Sequence, residues 1–280
     1  MSPESLGKAA GLTLRLLTER DLLEVFGLSS LAGWNQTIED WRLLLELSPE
    51  NCFCIEKDSA VVATTTFVPY ADRLGWIGMV LTHPNCRRLG LARRLLRHVL
   101  ARAELLGIQT IKLDATEQGQ PLYSELGFVA EQTVERWVRP GVGSGLSTQI
   151  GGQTWISRWS ELDSAAFGAD RSRLLQGLRR QAGCLSNARS YLLTRAGRIT
   201  AYLGPCISLD VQSARELVRA AMESHPGTWC WDVLGRNSKA VALASELGFT
   251  PQRRLLRMVR GEPQAGKDEL VYAIAGFEFG

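Results

Sequence analysis

Residues 123–139, "YSELGFVAEQTVERWVR", return 121 positions later as "ASELGFTPQRRLLRMVR" at residues 244–260. No gap is needed, and eight of the 17 positions are identical, including the whole Ser-Glu-Leu-Gly-Phe block. In both places a short helical stretch halts at glycine and a strand-like run follows. A weaker echo sets Thr18-Glu19-Arg20-Asp21 against Ser160-Glu161-Leu162-Asp163. Between echo and block the second copy is about 21 residues shorter. The chain therefore reads as a duplicated domain whose second copy has lost material.

Between the copies lies "RPGVGSGLSTQIGGQ", Arg139 to Gln153, with five glycines, one proline and no hydrophobic period, which reads as a linker. Before it the pattern predicts a strand over Leu12–Leu17, helices over Asp21–Leu31 and Ile38–Leu47, and strands over Cys52–Glu56, Ala60–Val68 and Gly75–Thr82. A long helix, Gly90–Leu106, carries its apolar residues at helical spacing. A strand (Thr110–Asp114), a short helix (Gln120–Leu126) and a strand (Val129–Val138) follow. The second half predicts a strand over Thr154–Arg158, helices over Glu161–Phe167 and Arg171–Gln181, and strands over Ser190–Arg195 and Ile199–Gly204. It closes with helix Ala214–Glu223, strand Thr228–Val233, helix Ser238–Leu247 and strand Arg254–Arg260. This is the same plan with one strand missing or shortened, an α/β sandwich around a mixed sheet.

Composition narrows the function. A net charge of +3 gives no support to a broad nucleic-acid face. Six cysteines form no C-x-x-C pair and have no histidine cluster beside them, so the expectation is reduced thiols, no metal and a cytoplasmic setting. No stretch approaches the 18 apolar residues that a membrane helix needs, and the first residues have no signal-peptide core.

The stretch "HPNCRRLGLARRLL", residues 83–96, carries the chemistry. A strand ends near Thr82, a turn passes through Arg87 to Gly90, and a long helix begins. Free backbone N–H groups and the helix dipole at that start favour an anion. Gly90 and Ala92 are small enough for close approach, and Arg87, Arg88, Arg93 and Arg94 supply phosphate-pairing charge. Taken alone, the same residues also suit the solvated face of an ordinary helix.

With the following strand and the "PLYSELGF" helix, residues 12–138 resemble the GNAT (GCN5-related N-acetyltransferase) superfamily. The resemblance implies an α/β fold of two GNAT-like domains, each a mixed, mostly antiparallel sheet flanked by helices, the second degenerate. It implies a catalytic domain over 12–139, a linker over 140–153 and a degenerate domain over 154–280. It further implies acetyl-CoA as cosubstrate, its pyrophosphate held by Arg87, Arg88, Leu89, Gly90, Leu91, Ala92 and Arg93. The backbone of Val80, Leu81 and Thr82 would meet the pantetheine, Thr116 would stand where relatives use Asn, and Tyr123 would be the general acid. Relatives often place a base on the central strand, but "LGWIGMVLTHP" has no carboxylate. Asp114, Asp72 and His83 are the candidates, or a water chain.

The second copy has Ala244 where the first has Tyr123, and "PCISLDVQS" where the first has its arginine loop. Asn237 stands at the family's asparagine position but is most simply a helix cap. "DSAAFGADRSRLLQGL", Asp163 to Leu178, is similar to the C-terminal domain of YitH-like acetyltransferases. Trp34, Asn35, Asp170 and Arg171 are thus candidate contacts to an acceptor. The expected activity is acetyl transfer to an amine of a small molecule or amino acid, by direct attack in a ternary complex. The rivals are a non-catalytic acyl-CoA-binding regulator and a protein or peptide N-acetyltransferase. A monomer or homodimer is expected, with neither nucleic acid nor membrane as partner.

Overall fold

A computed structural model describes residues 11–71, 73–141, 157–262, 264 and 266–280. The first half holds strands β1 (Leu12–Leu16), β2 (Cys52–Lys57), β3 (Ala60–Tyr70), β4 (Leu74–Thr82), β5 (Thr110–Ala115) and β6 (Val129–Arg139). Its helices are α1 (Leu22–Leu31), α2 (Ile38–Leu47), α3 (Leu91–Leu105) and α4 (Gln120–Glu125). The second half holds helices α5 (Ser157–Phe167), α6 (Ser172–Arg179), α7 (Val211–Ser224) and α8 (Ser238–Glu246). Its strands are β7 (Ala182–Ser186), β8 (Ser190–Arg195), β9 (Ala201–Ser208), β10 (Trp229–Leu234), β11 (Thr250–Gly261) and β12 (Val271–Ala273).

All the described strands join one sheet, in the order β1-β2-β3-β4-β5-β11-β6-β10-β9-β8-β7, with β12 beside β9. The repeated stretch explains this order. β6 and β11 are the two copies of one strand, and each leaves its own half to pair in the other. β11 runs between β5 and β6, and β6 runs between β11 and β10, antiparallel throughout. Thr250 faces Val138 and Val259 faces Val129. Thr250 and Val259 are the repeat partners of Val129 and Val138, so the two pairings are one contact seen from either copy. The chain divides at the glycine-rich stretch, but the sheet does not.

One ion pair from each copy secures the exchange. Arg257 of β11 grips Asp114 of β5 through Nε and Nη2 at 2.8 and 2.9 Å. Arg136 of β6 grips Asp232 of β10 through the same two atoms at 2.7 and 2.6 Å. Arg136 and Arg257 are partners in the 121-residue repeat, and both carboxylates are fully buried. Removing one partner of such a pair leaves an uncompensated buried charge.

Helices cover both faces. α3 and α4 pack on the first half, burying Leu95, Leu96 and Val99 against Phe53, Ile55 and Phe67. α7 and α8 do the same in the second half, around Trp229, Trp231 and Phe249. On the opposite face α1, α2, α5 and α6 share one core across both halves, with Trp41 and Leu44 in the same cluster as Trp159, Leu174 and Tyr191.

Several expectations shift. Ser157 and Arg158, expected to end a strand, open α5, and residues 154–156 lie outside the described residues. Ser160 is thus inside a helix, unlike Thr18, which precedes one. Arg139 belongs to β6 and Gly141 donates to Thr228 Oγ1, while residues 142–153 of the expected linker lie outside the described residues. β9 continues through Pro205 to Ser208. β7 and β12 were not foreseen.

Candidate active site

β4 and β5 run parallel only over Leu74–Trp76 against Thr110–Lys112, and then part. Their divergence begins where β4 bulges: Thr66 faces Gly78 and Thr64 faces Leu81, which sets two residues of β4 against one of β3. Met79 takes the strain there at φ 50°. A cleft of about 960 Å³ opens at the split.

One end of the cleft is the arginine loop. Arg88 (φ 63°) and Gly90 (φ 74°) are both left-handed, and α3 starts at Leu91 directly after Gly90. A backbone curled this way gathers successive N–H groups into a concave anion receptor, reinforced by the helix dipole. A Cβ on Gly90 would meet nothing within 4 Å, so the space above the loop is free for a ligand. Arg87, Arg88, Leu91, Ala92 and Arg93 line the cleft, as do Val80, Leu81 and Thr82 of β4. Leu89 is exposed and turned away from it. Arg93 also pairs with Glu125 of α4.

Thr116 and Tyr123 line the middle. Thr116 Oγ1 accepts from Gly119 N at 3.2 Å, which shapes the turn into α4. Tyr123 packs edge-on against Phe128, and burial raises its phenol above the ordinary range, so it stays protonated.

The other expected site residues divide. Trp34 lines the cleft. Asn35 does not: it bridges the halves, its Oδ1 accepting from Ile199 N and Thr200 N at 2.8 and 3.0 Å and its Nδ2 donating to Thr200 O. Arg171 is buried away from the cleft, bound to Asp163 and to Gly280 O. Asp170 is exposed and accepts from Ser172 N at 2.9 Å, in the turn that leads into α6. Among the base candidates, His83 Nδ1 accepts from Asn85 N and the ring is no part of the cleft lining. Asp114 lines the cleft with both oxygens held by Arg257, and Asp72 lies outside the described residues.

Sequence reading missed the far wall, because it comes from the last residues described. Phe277 and Glu278 line the cleft with Gln36, Arg136 and Arg253. Trp76 Nε1 donates to Phe277 O at 2.9 Å and Tyr70 OH to Phe279 O at 2.8 Å. Gly78 makes this possible: a Cβ there would lie 2.8 Å from Glu278 O. Glu278 accepts from Gln36 Nε2 at 2.8 Å and from Arg195 Nη2 at 3.1 Å. Burial pushes its carboxyl above the usual range, against the pull of Arg195.

The second copy has the same split in a different state. β9 and β10 pair over Ala201–Leu203 against Trp229–Trp231 and then part. Here β12 fills the gap: Val271 faces Ile207, Ala273 faces Cys206, and Ile274 N donates to Asp232 O at 3.1 Å. Asn237 caps α8 through Ala240 N and holds this segment through Val271 O. At the start of α7, Asp210 accepts from Ser213 N, so a carboxylate stands where the first copy leaves room for an anion.

The sequence profile of the Acetyltransferase (GNAT) family matches residues 19–128, and that of a second Acetyltransferase (GNAT) domain matches residues 160–273. The chain belongs to the GNAT family, in tandem form. A Bacillus subtilis (strain 168) protein described as an uncharacterized N-acetyltransferase, YitH, is 27% identical to this GNAT protein over 168 residues, 58% of each chain. The match thus spans little more than half of that relative. A crystal structure from Pyrococcus horikoshii has the same fold from end to end, with TM-score 0.85 and 22% identity over 100% of this chain and 99% of that one. A tandem GNAT protein from the clavulanic acid biosynthesis pathway shares the fold with TM-score 0.60 and 13% identity, over 90% and 99% of the two chains.

Proposed function

We propose that this GNAT protein moves the acetyl group of acetyl-CoA to a primary amine of a small molecule, in the first copy alone. The observation that carries the reading is the contrast between the two splits. One opens beside an anion-receiving loop, and the other is filled by the protein's own β12. The lining fits the coenzyme. Arg87 to Arg93 would hold the pyrophosphate, β4 at Val80–Thr82 offers backbone along the pantetheine path, and Thr116 stands beside it.

Acetyl-CoA supplies an acyl group already activated as a thioester. Tyr123, protonated by virtue of its burial, donates its phenolic proton to the departing sulfur and regains one from solvent. Glu278 receives the proton of the attacking amine. Asp114 is less suited to that task, since both its oxygens are gripped by one bidentate guanidinium, whereas Glu278 meets a neutral amide and a single guanidinium nitrogen. No cysteine is needed as an acyl carrier, and all six are buried. The second copy contributes a wall, which favours a small acceptor over a threaded protein tail. No described helix is long and apolar enough to cross a membrane, and a cytoplasmic setting belongs to the same proposal.

The test is DTNB-monitored thiol release with acetyl-CoA and a panel of amines. A low protein blank is expected, because all six thiols are buried and burial pushes those of Cys52, Cys54 and Cys206 up to about 12. Tyr123→Phe is expected to lower kcat by about 100-fold with acetyl-CoA affinity retained. Tight acetyl-CoA binding without release on any amine would instead favour a regulator.

A further inference from the structure

The acceptor end of the cleft is unevenly charged. Arg136 and Arg253 face each other across β6 and β11, so their side chains share a face of the sheet. Arg136 is neutralised by Asp232. Arg253 is half-buried and makes no ion pair or hydrogen bond with another described residue. Burial and the neighbouring Arg136 guanidinium disfavour its charge, and the attraction of Asp232, already paired with Arg136, does not offset them. A partly desolvated guanidinium in a cleft lining, with no carboxylate paired to it, calls for an anion from elsewhere.

Gln36, in the same lining, has the complementary deficit. Gln36 Oε1 is buried without a donor, although the amide is fixed by the bond from its Nε2 to Glu278. Beyond it, Arg195 is shared by two carboxylates, Asp40 at 3.3 Å and Glu278 at 3.1 Å. Arg253 lacks a paired anion and Gln36 Oε1 lacks a hydrogen-bond donor. Buried polar groups in native proteins find partners, and these two lack theirs among the described residues.

From this we infer that the acceptor is an amine that also carries a carboxylate, as a free amino acid does. Arg253 holds the carboxylate in a charge-assisted pair, and the amine lies against Gln36 Oε1 and Glu278. In the reaction the new N–C bond forms as the C–S bond breaks. One proton passes from the amine to Glu278, and another from Tyr123 to the sulfur. This inference rests on the proposed acetyl transfer and adds the acceptor's chemical class.

The experiment compares three matched sets of amines: free L-amino acids, their α-amides, and the amines left when the carboxylate is removed. The best amino acid is expected to exceed its amide and its decarboxylated amine in kcat/KM by about 100-fold, through KM more than kcat. Arg253→Gln should abolish that preference, lowering kcat/KM for the amino acid far more than for its amide, with Arg253→Lys in between. Equal or faster turnover of amides and plain amines by the unaltered protein overturns the inference and leaves acetyl transfer standing. If acetyl-CoA binds and no amine of any set releases thiol, both readings fall.

Discussion

Glu278 illustrates how a residue gains its role from its neighbours. Ordinary by sequence, it is surrounded by Arg195, Asp40 and Gln36, and burial outweighs the favourable guanidinium to raise its pKa. A base with a raised pKa is useless once protonated. The kcat/KM profile should therefore climb with pH through an inflection above the usual glutamate range. Glu278→Gln should lose that limb and about 100-fold in rate. Measuring both profiles with one amine separates the carboxylate from the titration of the amine itself. Tyr123 and the arginine loop could be singled out beforehand as cleft residues because their signals are local, set by spacing within a few turns of chain. Asn35, Arg171 and Glu278 were not, since each bonds to residues more than 75 positions away. A polar side chain in sequence carries no mark of whether its partner is a ligand or a distant carbonyl.

At the scale of elements, the two strand-to-helix turns show how one scaffold keeps or loses room for an anion. In the first copy Gly90, left-handed and bare, precedes α3. In the second, the extended Asp210 caps α7 with its own carboxylate. Gly90→Ala should cost about 1 kcal/mol of stability, read by urea melts, because alanine is strained in that conformation. It should also weaken acetyl-CoA binding several-fold by calorimetry, since the curl that gathers the N–H groups relaxes. The helices were readable from their 3.6-residue stripes and stop signals. β7, "AGCLS", carries little strand preference of its own and forms because β8 offers an edge. β12 has only three residues, and its reason for existing is a gap that pattern does not reveal.

Across the whole molecule, the repeat announced two copies but not their entanglement. Nothing in the matching 17 residues says which β5 each strand will join, because the pairing surfaces are alike in both halves. The exchange makes each half incomplete alone. Residues 1–141 produced separately lack the strand between β5 and β6 and the Glu278 wall, and should give no cooperative melt and no thiol release. Coexpression with residues 142–280 should restore both, as judged by circular dichroism and the DTNB assay. A folded, active first half would show that the exchange is dispensable.

The position of β11 along the chain also sets a schedule. It is made about 110 residues after β6 ends. At ordinary synthesis rates of about 5–20 residues per second, that is a wait of roughly 6–22 s. Throughout it, β5 and β6 each present a naked edge, and Asp114 has no Arg257 to meet it. The half that holds the arginine loop must therefore linger on the ribosome as an open sheet, exposed to pairing with neighbouring nascent chains. Translation speed through residues 140–250 becomes a determinant of yield, and slowing it should raise aggregation before it affects any property of the finished protein.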